Sequence, residues 1–357
     1  MARPAPTGGG DLLRWRLADD DAGRPDLLGE AERHPGRGEL AGLELLHVRA
    51  RRVVNRVPDA SRMPFRWTVN PYRGCSHACV YCFARPTHEY LGLGIGEDFD
   101  RRIVVKVNAV ERVRAELASP SWHGESIAMG TNTDPYQPCE GRYGLTRGVI
   151  AALVEAGNPF SVLTKSTLIQ RDLDLLMEAA RAGLVDTALS IGCLDEDVWR
   201  STEPGTPNPR RRMEVVARLN DAGVPCGVMV APVLPGISDG PDLLEEVVRA
   251  AVEAGAPTIS PIMLHLRPGV RDHYLGWLGA SRPDLVDDHA RRYRRPYAPA
   301  AETRALSDRV RALVERHRRA GRRPPGIRRP AGPARRFGAR RGPPVPDPAV
   351  GEQLTFL

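Results

Sequence analysis

The chain has 357 residues, 41% of them apolar, which provides for a buried core and excludes wholesale disorder. No apolar run approaches the ~18–20 residues of a membrane-spanning helix, and Met1 to Gly10 lacks the apolar centre of an export signal, so a soluble, cytoplasmic protein is expected. The net charge of +7 is uneven: from His289 onward 18 Arg face 5 acidic residues, while the preceding part sums to −6, and such a basic end suits DNA or RNA as a partner.

Residues 1–62 are rich in Arg, Gly and Pro around one apolar run, Leu40–Val48, and read as an irregular lead-in with room for a short strand or helix. A strand is predicted at Phe65–Val69, running into a cysteine-rich loop, and a further apolar run at Ile103–Val107 precedes a helix over Ala109–Leu117. From there the chain alternates. Strands are predicted at Ser126–Met129, Phe160–Leu163, Val185–Ile191, Cys226–Val230 and Thr258–Leu264, with helices at Leu145–Ala156, Arg171–Ala182, Pro209–Ala222 and Pro241–Ala254. Each of these four helices is followed by Gly, the residue expected where a helix stops before the next strand.

Short continuous apolar strands alternating with helices mean a parallel sheet covered by helices. Six such strands fall short of the eight of a closed barrel, so the expected fold is α/β, a partial (β/α)6 TIM-type barrel over residues 63–268. A helical extension on the substrate side is expected over 269–320, and a basic, flexible tail over 321–357. Polar residues gather just after the strands, at Gly130 to Asp134, Thr164-Lys165-Ser166, Ser190 and Pro232 to Pro235. Parallel α/β folds bind ligands at the carboxyl ends of their strands, so these loops should face one site.

Six cysteines without an export signal suggest metal ligands or free thiols rather than disulfides. Cys75, Cys79 and Cys82 form C-x3-C-x2-C. Three thiolates on one tight loop can hold three irons of a [4Fe–4S] cluster and leave the fourth iron open. A structural zinc completed by His77 or His88, in a non-catalytic metal- and nucleic-acid-binding protein, is the alternative. A redox pair of Cys79 with Cys82 would leave Cys75 unexplained.

With its aromatic Tyr81 before the last cysteine and its place after a first strand, this loop resembles that of the radical S-adenosylmethionine (SAM) superfamily. The surroundings, Asn70-Pro-Tyr-Arg-Gly-Cys75, Cys82-Phe-Ala-Arg85, Gly130 to Tyr136, Thr164-Lys-Ser166 and Pro232 to Gly236, are similar to the branch that contains spore photoproduct lyase. The resemblance implies an enzyme in which one electron from the cluster cleaves SAM, giving a 5′-deoxyadenosyl radical that abstracts hydrogen from a substrate C–H. It implies Cys75, Cys79 and Cys82 as cluster ligands, Tyr81 beside the adenine and Lys165 on the SAM carboxylate. Thr133 and Asp134 fall where the superfamily often carries a Gly-Gly-Glu segment for the SAM amino group, and Ser190 is a candidate ribose or carboxylate contact. Lys165 is one of only two lysines among 51 basic residues, and an ammonium does not substitute for a guanidinium fork. Cys139, just past the SAM loop, is a candidate hydrogen donor. A ferredoxin or flavodoxin would supply the electron, and nucleic acid is one admissible substrate class.

Overall fold

Each apolar run of the alternating region becomes a strand, the inner ones with both faces covered, and each amphipathic stretch becomes a helix laid on the sheet. The structure is a computed structural model and describes residues 31–58 and 63–320. Its strands are β1 (Glu32–Pro35), β2 (Glu44–Val48), β3 (Val54–Arg56), β4 (Trp67–Val69), β5 (Tyr72–Arg73), β6 (Arg102–Lys106), β7 (Ile127–Met129), β8 (Phe160–Thr164), β9 (Val185–Ser190), β10 (Cys226–Val233) and β11 (Ile259–Met263). The helices are α1 (Glu97–Arg101), α2 (Ala109–Leu117), α3 (Glu140–Tyr143), α4 (Leu145–Glu155), α5 (Leu173–Arg181), α6 (Glu196–Thr202), α7 (Pro209–Asp221), α8 (Pro241–Glu253), α9 (Val270–Ser281), α10 (Val286–Arg292) and α11 (Ala300–Ala320).

The main sheet runs β11-β10-β9-β8-β7-β4-β3; all its neighbours are parallel except β3, which lies antiparallel on β4 at one edge. The six parallel strands are the six predicted ones, β3 is the seventh, and β3 and β11 do not pair with each other, so the barrel is open. The glycines after α4, α5, α7 and α8 have φ of 61°, 67°, 81° and 73°, the left-handed turn that ends a helix at little steric cost. Val149, Ile150 and Leu153 of α4, Leu176 of α5 and Val216 and Leu219 of α7 are fully buried against Val162, Leu189 and Val228 of the strands.

Among the described residues β11 ends the main sheet, and this edge carries a proline. Because Val228 N–H reaches Thr258 O (2.8 Å), the alternation of a parallel ladder turns Ser260 toward β10 and Pro261 outward. Pro is tolerated there, since the missing N–H falls on the unpaired side.

Two expectations need correction. The lead-in over 1–62 is not irregular throughout: β1, β2 and β3 lie within it, while residues 1–30 and 59–62 are outside the described residues. β1 and β2 form a second sheet with β6 and β5, in the order β1-β2-β6-β5. Since β5 leads straight into Gly74 and Cys75, this sheet holds the entrance of the cysteine loop. Likewise 269–320 is not one substrate-side extension. Val270, Tyr274 and Tyr293 of the α9–α10 region pack on Val80 and Tyr81 of the cysteine loop. In contrast, α11 returns to the outer layer, burying Leu306 and Val310 in the main core and pairing Arg316 with Glu245 of α8. It thereby serves as the helix of the sixth β/α unit. The tail over 321–357 lies outside the described residues. No helix among the described residues is long and apolar enough to cross a membrane.

Candidate active site

The carboxyl ends of β7, β8, β9, β10 and β11 open on one cavity of about 200 Å³. Cys75, Cys79 and Cys82 line it together with Tyr81, Lys165 and Ser190. The cysteine loop is held by backbone contacts on three sides. Cys75 N–H reaches Phe99 O (2.9 Å), Val80 N–H reaches Thr202 O (3.0 Å), and Gly205 N–H reaches His77 O (3.1 Å). A side chain at position 205 would meet Ser76 O at 2.1 Å, so only glycine lets the segment after α6 seat against the loop. Ala78, between the first two cysteines, has φ of 52°, a left-handed conformation that a non-glycine residue keeps only where its surroundings impose it.

Arg85 of the Cys82-Phe-Ala-Arg85 run is 1% exposed and gathers the loop from behind. Its guanidinium donates to Cys79 O (2.9 and 3.2 Å), Ile95 O (2.9 Å), Gly96 O (3.1 Å) and both oxygens of Asp100 (2.9 and 3.1 Å). These donors satisfy carbonyls that the tight loop leaves without partners.

Beneath the cavity lies a buried charge network. Lys165 Nζ donates to Ser190 Oγ (2.9 Å), Glu203 Oε1 (2.8 Å) and Ala231 O (3.3 Å). The Tyr81 hydroxyl donates to the same Glu203 oxygen. Arg212 takes the other, Oε2, at 2.6 Å and also donates to Ser190 O (2.8 Å). Burial pushes the Glu203 carboxyl up, but Arg212 and Lys165 outweigh it and hold the group well below the ordinary range. Neither Glu203 nor Arg212 stood out in the sequence. Its neighbours Arg210 and Arg211 form exposed ion pairs with Glu246 and Glu214, whereas Arg212 itself is 1% exposed. The available signal was periodicity: Arg212, Val215, Val216 and Leu219 share one face of α7, and all are buried.

Thr133 and Asp134 border the cavity but are engaged. Asp134 accepts from Tyr136 N (2.9 Å) and Thr164 Oγ1 (2.6 Å) on one oxygen, and from Lys165 N (2.7 Å) on the other, which also lies 3.3 Å from His77 Nδ1. Burial raises this carboxyl, and His77 with the neighbouring donors more than reverses it, leaving it lowered. Four partners occupy its acceptor positions, so Asp134 ties the β7 loop to β8 and to the cysteine loop. Thr133 Oγ1 similarly donates to Gly74 O (2.6 Å) and accepts from Gln137 (3.0 Å). Cys139 is a correction too. It is fully buried with Leu40, Leu45, Tyr72 and Ile103 between the second sheet and α4, and it is not among the cavity's lining residues.

The donor chemistry of the cavity fits an iron–sulfur cluster. Burial pushes all three thiols up, so a metal is needed to draw out their protons. No fourth cysteine lines the cavity among the described residues, which leaves one coordination position of a four-iron cluster to something other than a cysteine. Of the two histidines that could complete a zinc site, His88, hydrogen-bonded to Arg102 O (3.0 Å), stands outside the cavity, while His77 lines it with Nδ1 3.3 Å from Asp134.

A profile described as the radical SAM superfamily matches residues 69–247. The chain therefore belongs to the radical SAM superfamily, a class of enzymes for which SAM and a [4Fe–4S] cluster are the implied cofactors. An uncharacterised protein of Mycobacterium tuberculosis (strain H37Rv) is 45% identical over 284 residues, 79% of this chain and 84% of the relative. Spore photoproduct lyase, solved in complex with a dinucleoside spore photoproduct, shares the fold with a TM-score of 0.56 at 20% identity, over 79% of this chain and 84% of that one. A protein of Pseudomonas phage M6 described as a radical SAM Nalpha-GlyT isomerase is 29% identical over 175 residues, 48% of this chain and 34% of the relative.

Proposed function

We propose that the chain holds a [4Fe–4S] cluster on Cys75, Cys79 and Cys82, binds SAM in the adjoining cavity, and removes a hydrogen atom from a substrate C–H. The observation that carries this reading is the convergence of three thiols with Tyr81, Lys165 and Ser190 on one cavity at the strand ends. When bound, the reduced cluster and SAM supply one-electron sulfonium cleavage and a carbon radical able to take hydrogen. The protein's own part is to bind, orient and keep water out. Tyr81 and the apolar Met129, Leu163 and Met229 offer a surface for the adenosine, and Lys165 with Ser190 meets the carboxylate. With Asp134 and Thr133 engaged, Asn132 is the side chain of the β7 loop left to accept from the amino group. His265, pushed down to about 4 by burial and by Arg267, is neutral at the mouth beside Phe83. An electron comes from a ferredoxin or flavodoxin, and an oxygen-sensitive centre of this kind suits the cytoplasm.

For the substrate we favour nucleic acid. The basic chain end and the shared fold of an enzyme solved with a dinucleoside photoproduct support it. The test is 5′-deoxyadenosine formation by the anaerobically reconstituted protein with SAM and dithionite, beside Cys82→Ala. Product that depends on Cys82 is expected; no product from a chain shown to hold a full cluster, even with added oligonucleotide, would refute the reading. Cleavage indifferent to oligonucleotides would remove only the substrate part.

A further inference from the structure

We infer that Arg212, which does not line the cavity, sets the charge that the cavity offers to an anionic group by neutralising Glu203 and so leaving Lys165 free to act as a cation. The inference rests on the assignment of SAM to this cavity and of its carboxylate to Lys165.

The reasoning is a count of charges in a dry place. Lys165, Arg212 and Glu203 sum to +1. Glu203 is 5% exposed and Arg212 1%, so neither charge is screened by solvent. Arg212 holds Glu203 Oε2 at 2.6 Å, while Lys165 holds Oε1 at 2.8 Å. Without Arg212 the remaining pair is neutral, and Glu203 has Lys165 as its sole cationic partner. The ammonium would then turn fully to Glu203, and a ligand carboxylate would have to compete with a buried carboxylate for it. Arg212 also fixes Ser190 through its carbonyl (2.8 Å), while Lys165 donates to the Ser190 hydroxyl, so the same guanidinium orients both groups that would face the carboxylate. Arg212 is thus a positioning residue.

The experiment is calorimetric titration of the anaerobically reconstituted protein with two probes. SAM carries a carboxylate; 5′-methylthioadenosine has the adenosine and no carboxylate. Lys165→Met should weaken SAM about tenfold or more and leave 5′-methylthioadenosine unchanged; equal SAM affinity would sink the Lys165 assignment itself. Arg212→Met should also weaken SAM about tenfold and spare 5′-methylthioadenosine. Arg212→Lys, which keeps the charge but loses the fork that also holds Ser190 O, should weaken SAM less than Arg212→Met does. The deciding variant is Arg212→Met with Glu203→Gln, which removes both charges, restores the sum to +1 and should recover most of the SAM affinity. If Lys165→Met weakens SAM but Arg212→Met does not, the inference fails and the SAM site stands. It fails equally if the double variant, with iron content and unfolding midpoint matching the single one, binds SAM no better, or if Arg212→Met weakens both probes alike. Those outcomes would make Arg212 a packing residue.

Discussion

Substituting Gly205 by Ala would act on the cysteine loop from a position 123 residues beyond Cys82. The new methyl would stand 2.1 Å from Ser76 O and 2.9 Å from His77 Cα, both backbone atoms with no rotamer to yield. Bringing the first contact to even 3.0 Å requires the two segments to part by about 0.9 Å. That separation breaks the bond from Gly205 N to His77 O and strains its neighbour from Val80 N to Thr202 O. Two backbone hydrogen bonds at about 1 kcal/mol each, with overpacking of about 1–3 kcal/mol, give a loss of about 3–5 kcal/mol in unfolding free energy. Because the displaced loop carries all three cysteines, iron and sulfide per chain after reconstitution should fall as well. Urea unfolding and iron analysis measure the two effects. Gly276→Ala is the control: it lies inside α9 with nothing within 4 Å of the added methyl, and should be neutral or slightly stabilising. A Gly205→Ala protein with native stability and a full iron complement would refute the seating of the loop on this glycine.

Arg85→Met should cost about 3–5 kcal/mol, since it strands Asp100 and three carbonyls that share one buried guanidinium; urea unfolding reads it, and a loss under about 1 kcal/mol would show that water replaces the guanidinium. Cys139→Ala should cost about 1 kcal/mol as a small core deletion and leave substrate conversion unchanged; lost conversion with native stability and intact SAM cleavage would reinstate Cys139 as a hydrogen donor. Glu203 gives a pH dependence of definite sign. Its folded-state value lies below the unfolded one, so its stabilisation is full above about pH 4.3 and is lost as pH falls toward the depressed folded value. The Arg212→Met/Glu203→Gln protein should show a flatter acid limb in urea unfolding, and an identical limb would contradict the buried ionised carboxylate.

The barrel was legible because its strands are continuous apolar runs and its helices stop at glycine, both local signals. The cysteine spacing likewise marks a metal loop without reference to anything distant. Other features depend on tertiary placement. β1 reads Glu-Arg-His-Pro, with no apolar alternation, and becomes a strand only because β2 offers it a partner. The helix that belongs with β11 is postponed past α9 and α10, so counting units along the chain separates it from its strand. Glu203 sits 122 residues from Tyr81 in a loop whose composition announces a turn, and its meeting with Tyr81 and Arg212 is made by the fold alone. Asp134 shows the reverse case. Its position in the loop after β7 was read correctly as facing the cavity, but its four partners decide what it does there.

Pro261 on the outward side of β11 bears on how copies of this chain behave toward one another. An open barrel exposes a strand edge that could be extended by a strand from a second molecule, the route to fibres and swapped dimers. A proline in mid-strand withholds one donor from any such partner and sets a ring in its path, while the neighbouring pairing with β10 proceeds undisturbed. The molecule can thus keep its barrel open on this side without that edge becoming a template for self-association.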